Sequence, residues 1–391
     1  MTLALINIGE SHDGSATGAE LSGDAMILSD DAIEWIGDSL DVTASDHRIV
    51  VDCGGATVVP GLIDSHVHTT FGDYTPRQKT VDFLESYVHG GTTRVVSASE
   101  VHVPNRPSSR VGVKALAVAA AEAYTGYYPG GMTVHGGSVV LEPTLTRADF
   151  AELRENGVQM AKAGFGAFMT AEDYIPVVHA AQAEGLLVMC HTGGGSIPGS
   201  QSKIDADTLL RMRPDVAGHV NGGPTALTPE ENERMVHEGE GIGLQLVHAG
   251  NLRSALHLAE LALDADCFER IMIATDTPTG TGMIPLGMLR QMAEMVSLGA
   301  LGPRQAVSAA TGNVADWYGI PGGHLTVGAA PDLVVLDAPL GGRGRTAFEA
   351  LSIGDLPAVR AVVTHGQLRL KKSRNTPVGV ASVTVTGTVD V

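Results

Sequence analysis

The stretch that decides the reading is VVPGLIDSHVH, Val58–His68. It is an apolar run of strand length that ends in two histidines one residue apart, and residues at i and i+2 of a strand project to the same side. His66 and His68 therefore share a face. Before this run the chain offers only short strand-like pieces: LALINI, AMILSD, AIEWIG, HRIVVD and ATVV, parted by Gly, Asp and Ser turns with no helical period among them. After it, apolar runs alternate with amphipathic stretches of helix length. That rhythm predicts βα units around a parallel sheet.

Counting from Val58, the runs are VVPGLIDSHVH, TTRVVSA, MTVHGGSVV, GVQMAKAG, LLVMCH, DVAGH, GIGLQLV and RIMIATD, with helices expected over 146–156, 172–184, 252–265 and about 303–317. Eight such strands close a (β/α)8 TIM barrel, which seats its chemistry at the C-terminal ends of the strands. Strand character returns in HLTV, DLVVLD and VRAVVTHGQLRL, followed by a polar tail. The expected α/β fold is a barrel over 61–320 and a small β-sandwich built from both chain ends, 1–60 and 321–391. Either end alone would leave an apolar face uncovered.

The 391 residues supply ample core for one large and one small domain. A net charge of −19 argues against nucleic-acid or anionic-membrane partners, which require a clustered basic face, and leaves a small molecule as the expected partner. Cys53, Cys190 and Cys267 have neither paired nor CxxC spacing. They read as free thiols in a reducing, cytoplasmic setting. The N-terminus lacks a basic, cleavable leader, and no apolar run reaches the roughly 18 to 20 residues of a bilayer span.

Two strand-end imidazoles on one face suit a metal ion, although a pair of hydrogen-bonded structural histidines would have the same spacing. Further candidates terminate or lie within the later runs: Lys162 in VQMAKAG, His191 ending LLVMCH, His219 ending DVAGH and Asp276 ending RIMIATD. Lys162 and His191 are 29 residues apart, His191 and His219 are 28, and His219 and Asp276 are 57. These are one, one and two βα units. The candidates thus fall on strands one, four, five, six and eight, all at the same mouth.

Together PGLIDSHVH, the strand-four lysine, the single histidines of strands five and six and the strand-eight aspartate resemble the binuclear amidohydrolase superfamily. The strings DYTPRQKT, TVHGG, HTGGGSIPGS, HVNGGPTA, TPTGTGMIPLG, ATGN and KSRNTP are similar to those of its enamidase branch, which hydrolyses ring enamides. The resemblance runs from about residue 55 to the C-terminal tail. It implies a metal-dependent hydrolase that opens the C–N bond of a cyclic amide with metal-activated water.

It also implies two divalent metals, zinc first, with iron, manganese or nickel as alternatives. His66, His68, Lys162 and Asp276 would serve one ion; Lys162, His191 and His219 would serve the other. Where enamidases carry a bridging glutamate this chain has Lys162, the residue most binuclear members carboxylate with carbon dioxide. A bare ammonium would repel metal, whereas the carbamate is anionic and offers two oxygens. Asp276 would move the proton, and His135 on strand three would stabilise the oxyanion. Arg77, His102 and Arg106 are candidates for a substrate carboxylate, and the glycines at 193–195 and 222–223 for backbone N–H contacts. A homotetramer is the assembly implied. Hydantoinase or dihydropyrimidinase chemistry would use the same ligands, while a mononuclear deaminase would not need Lys162.

Overall fold

The computed structural model describes residues 2–69, 80–100, 106–195, 202–222, 225–278 and 282–387, with side chains from residue 83 onward in the helix that begins at Thr80. The chain opens with β1 (Leu3–Ile6), β2 (Ala25–Leu28), β3 (Ile33–Gly37), β4 (Ile49–Asp52) and β5 (Thr57–Pro60). Strands β1 to β4 join one mixed sheet, whereas β5 belongs to another.

The barrel begins with β6 (Leu62–Val67), α1 (Thr80–Val88), β7 (Thr92–Ser97), α2 (Arg110–Ala123), β8 (Thr133–His135) and β9 (Ser138–Val140). It continues through α3 (Arg147–Glu155), β10 (Met160–Ala163), α4 (Tyr174–Ala183), β11 (Leu187–His191), α5 (Ala206–Met212) and β12 (Val216–Gly218). Then come α6 (Pro229–His237), β13 (Gly243–Val247), α7 (Leu252–Asp264), β14 (Ile271–Ala274), α8 (Gly287–Ser297), α9 (Pro303–Ala309) and α10 (Gly312–Tyr318).

Every pairing among β6 to β14 is parallel, in the orders β6-β7-β8 and β9-β10-β11-β12-β13-β14. The third run, MTVHGGSVV, supplies two short strands instead of one, because Gly136 and Gly137 break it. β8 pairs back to β7 and β9 pairs forward to β10. The other seam joins the last strand to the first: Val67 bridges Thr277, and the His68 N–H donates to the Thr277 carbonyl at 2.8 Å.

The chain ends with β15 (Leu333–Asp337), α11 (Ala347–Ser352), β16 (Ala358–Thr364), β17 (Gln367–Leu370) and β18 (Thr384–Gly387). These strands complete two sheets, β18-β4-β1-β2-β3 and β17-β16-β15-β5, so both chain ends contribute to each. Strand alternation explains the layering. Val58, Leu333, Val335, Ala361 and Val363 face the apolar layer shared with Leu5, Met26, Leu28 and Val51. Their neighbours Val59, Val334, Leu336 and Val362 face the barrel core. The second sheet is therefore buried on both sides, which is why its strands read as unbroken apolar runs. A buried ion pair, Arg94 to Asp332 at 2.6 Å, also links β7 to the residue before β15.

Four further expectations need correction. VVPGLIDSHVH is two strands in different sheets, divided at Gly61, where a Cβ would lie 2.2 Å from Thr93 Oγ1. HLTV is not a strand. The polar tail contains one, β18, paired with β4. The helix expected over about 303–317 is divided between α9 and α10 around Ala310–Thr311.

Candidate metal centre

The strands deliver their polar ends to one buried cluster. His66 and His68, on and just beyond β6, direct their Nε2 atoms at Asp276 Oδ1, at 3.3 and 3.4 Å. Their two ligand nitrogens and the carboxylate oxygen lie within 4.8 Å of one another, a grouping compatible with one metal ion. Lys162, on β10, places Nζ 3.4 Å from His66 Nε2 and 3.3 Å from Met189 Sδ. The His219 ring lies 5.4 Å from that of His66 and 4.4 Å from that of His191. All six residues are buried.

Backbone geometry contributes to this convergence. Asp276 and His219 sit just past their strands at φ 60° and 37°, the left-handed region seldom adopted by residues with a Cβ. Gly164, after β10, has φ 109°, and a Cβ there would lie 2.5 Å from the Cβ of His191. Only glycine allows the two strand ends to approach so closely.

Burial sets the protonation of the cluster. Desolvation, reinforced by Lys162, pushes His66 well below the usual imidazole range, and desolvation takes His219 to about 4. Burial thus favours the neutral form of both rings. Burial also lowers Lys162 to about 8. For Asp276 burial acts upward, but His66, His68 and His219 outweigh it and hold the carboxyl well below its ordinary value. The set therefore includes two imidazoles, His66 and His219, that burial disfavours as cations, a carboxylate held ionised and an amine whose charged form burial also disfavours. His219 Nδ1 is buried and has no hydrogen-bond partner among the described residues. These donors fit divalent cations that accept nitrogen and oxygen ligands.

The other candidates fall differently. His135 ends β8, burial lowers it to about 4, and its buried Nε2 has no hydrogen-bond partner among the described residues. It takes no part in the ring contacts that join His66, His68, His191 and His219. Arg106 donates to Glu142 at 2.8 Å and to the Phe165 carbonyl, so its charge already has a carboxylate partner. Arg77 and His102 lie outside the described residues, as does Gly223. Gly193 N–H donates to the Ile204 carbonyl at 2.8 Å, Gly194 N–H to Thr225 Oγ1 at 2.9 Å and Gly222 N–H to the His219 carbonyl at 2.7 Å. Those three glycines shape the loops with their N–H groups already engaged.

A cavity of about 360 Å³ is lined by Arg106, Glu142, Phe165, Phe168, Met169 and Tyr174. Phe165 also packs edge-on against His191, with ring centroids 4.8 Å apart, and so connects the cavity to the cluster. Sequence reading missed the supporting residues. Asp64 accepts from Thr275 N–H at 3.0 Å and Thr275 Oγ1 at 2.5 Å, fastening strand one to strand eight next to His66 and Asp276. Gln245, a lone polar residue inside GLQLV, contacts His66. Its place in an otherwise apolar buried strand was the available signal.

Residues 57–369 match the model of the Amidohydrolase family. The chain belongs to that family. It is 40% identical over 372 residues to an enamidase from Eubacterium barkeri, covering 95% of this chain and 96% of the relative. The crystal structure of an enamidase, described as a member of the amidohydrolase superfamily, superposes with a TM-score of 0.92 at 39% identity over 99% of this chain and 100% of that one. An L-hydantoinase (dihydropyrimidinase) from Arthrobacter aurescens has a TM-score of 0.67 at 16% identity over 97% of each chain, a likeness of fold alone. The chain is thus an enamidase-like, metal-dependent amidohydrolase with a TIM barrel. Among its described residues, no helix is long and apolar enough to cross a membrane.

Proposed function

We propose that this amidohydrolase opens the C–N bond of a cyclic amide or ring enamide with the help of two divalent metal ions. The observation that carries the reading is the meeting of Asp276 Oδ1 with both Nε2 atoms of His66 and His68, beside Lys162, in a chain similar to enamidase almost end to end. His66, His68 and Asp276 would hold one ion and His191 and His219 the other, with a carboxylated Lys162 shared between them. Bound divalent ions would supply Lewis acidity, lowering the pKa of water to about 7 and polarising an amide carbonyl.

The lysine carries this arrangement. A buried ammonium beside imidazoles is costly, and burial lowers Lys162 to about 8, which raises the share of neutral amine near pH 7. The neutral amine is the form that adds carbon dioxide, losing a proton to give an anionic carbamate. Zinc is the favoured metal; iron, manganese and nickel suit the same nitrogen and oxygen donors.

Asp276, held ionised, would accept a proton from the attacking water and return it to the leaving ring nitrogen. His135, neutral and with an unpartnered Nε2, would donate to the oxygen that gains charge. The cavity beside Phe165 has the size for a small ring. With Arg106 already bound to Glu142, recognition of a substrate carboxylate by Arg106 would require that pair to open. The proposal includes a cytoplasmic homotetramer and the partition of the chain into 61–320 and the combined ends 1–60 and 321–391.

The test combines metal analysis of the purified protein with turnover on lactams, cyclic imides and ring enamides, each with and without a carboxylate. Two metals per chain and preferential opening of ring enamides are expected. Preferential turnover of cyclic imides would favour hydantoinase chemistry, and release of ammonia without ring opening would favour a deaminase.

A further inference from the structure

We infer that Gln245 is a positioning residue that fixes the tautomer of His66 and so aims a nitrogen lone pair into the metal centre. The inference rests on the metal reading above but concerns a residue outside the ligand set. Gln245 is fully buried in the middle of β13, and each end of its amide meets strand one. Oε1 lies 2.5 Å from His66 Nδ1 and accepts from the backbone N–H of His219 at 3.4 Å. Nε2 donates to Ser65 Oγ at 2.8 Å, to the Ser65 carbonyl at 3.1 Å and to Tyr318 Oη at 3.1 Å.

Two of these partners decide which end of the amide is oxygen. A backbone N–H can only donate and a backbone carbonyl can only accept. Turning the amide over would set NH₂ against the His219 N–H and oxygen against the Ser65 carbonyl, two buried mismatches at once. The oxygen therefore faces His66. An amide oxygen can only accept, so His66 Nδ1 must carry a hydrogen, and in the neutral ring the lone pair lies on Nε2. That atom is the one 3.3 Å from Asp276 Oδ1 and 3.4 Å from Lys162 Nζ.

The side chain thus performs three tasks. It selects the His66 tautomer, it fixes the ring plane, and through the His219 N–H it ties His66 of β6 to the chain just past β12. Outer partners of this kind raise the basicity of a metal-bound imidazole and restrain its orientation. His68 has a counterpart in Ser99, whose carbonyl lies 3.4 Å from His68 Nδ1.

The test compares Gln245→Leu, which removes the acceptor at similar volume, with Gln245→Glu, whose buried carboxyl, protonated on the oxygen that faces the Ser65 carbonyl, keeps both a donor there and an acceptor opposite His66. In zinc-free parent protein, the ¹⁵N shifts of His66 should report a protonated Nδ1 and an unprotonated Nε2. Gln245→Leu should shift them toward a mixture of tautomers. Zinc affinity, measured by chelator competition, should fall about 10- to 100-fold in Gln245→Leu. It should stay within about threefold of the parent in Gln245→Glu, the pattern expected if the acceptor alone matters. Thermal unfolding of the zinc-free variants separates loss of packing from loss of aim.

The opposite tautomer in the parent would overturn the inference. So would parental zinc affinity in Gln245→Leu, or equal losses in both variants, which would assign Gln245 to packing. A parent that binds no zinc would instead overturn zinc binding at this centre, and the ¹⁵N shifts would still decide the role of Gln245.

Discussion

Asp276 Oδ1 lies 3.3 Å from His66 Nε2, so the carboxylate beyond the last barrel strand meets an imidazole near the end of the first. The contact depends on the seam between Val67 and Thr277 and on the left-handed backbone of Asp276, a conformation retained where surroundings over-determine it. Asp276→Asn keeps the shape and one weak oxygen ligand but removes the basicity. Turnover is expected to fall by about 10²-fold or more, the scale of a lost general acid-base group, while folding and much of the metal persist. Near-normal turnover would transfer the proton-shuttle role to another group, with His135 the next to test.

Lys162 tests the carbamate separately. Its buried Nζ lies 3.4 Å from His66 Nε2, where an unmodified ammonium would oppose a cation. Lys162→Ala should lose most of its bound metal and activity, and a short carboxylic acid supplied in solution should restore part of both. Retention of full metal occupancy in this variant, measured by elemental analysis, would rule out the bridging role.

The parts legible in sequence were those whose periodicity or spacing is local. Strand ends one, four, five, six and eight carried their polar residues at intervals of βα units, and alternation revealed which side chains shared a face. Less was visible where a strand pairs through space. Val58 and Val59 face different cores, a fact set by the pairing of β5 with β15 rather than by adjacent residues. β18 was hidden in a polar tail because it is a largely exposed edge strand. The Gly136–Gly137 break reads like an ordinary turn until its two flanking strands are seen to pair with opposite neighbours. Gln245, polar in an otherwise apolar run, was passed over because its partners, Ser65 and Tyr318, are distant in sequence.

Gly164 links this long-range packing to the centre. Any Cβ at residue 164 would collide with His191 Cβ at 2.5 Å and would also have to adopt φ 109°. Gly164→Ala should therefore displace His191, lowering metal content and the thermal midpoint together. Calorimetry and elemental analysis on the same sample provide the check. A parental midpoint with parental metal content would mean that β10 can shift without cost.

Asp149 supplies a stability prediction far from the histidine cluster. Its fully buried carboxylate accepts from Thr146 N–H at 2.8 Å and Thr146 Oγ1 at 2.7 Å at the start of α3, and it pairs with Arg110 at 2.6 Å and Lys114 at 3.0 Å. Burial pushes the carboxyl up, but these hydrogen bonds outweigh it and hold the group well below 3.8. A group whose folded pKa is depressed contributes stability above its unfolded value and loses it as pH falls toward and through the folded one. Asp149→Asn should cost about 1 to 2 kcal/mol, the scale of a helix cap with charge-assisted bonds. The gap in thermal midpoint between parent and variant should be equal at pH 7 and about pH 5 and should narrow below about pH 4, near the unperturbed aspartate pKa. A gap that widened on acidification would show that the carboxylate is not held ionised by Thr146, Arg110 and Lys114.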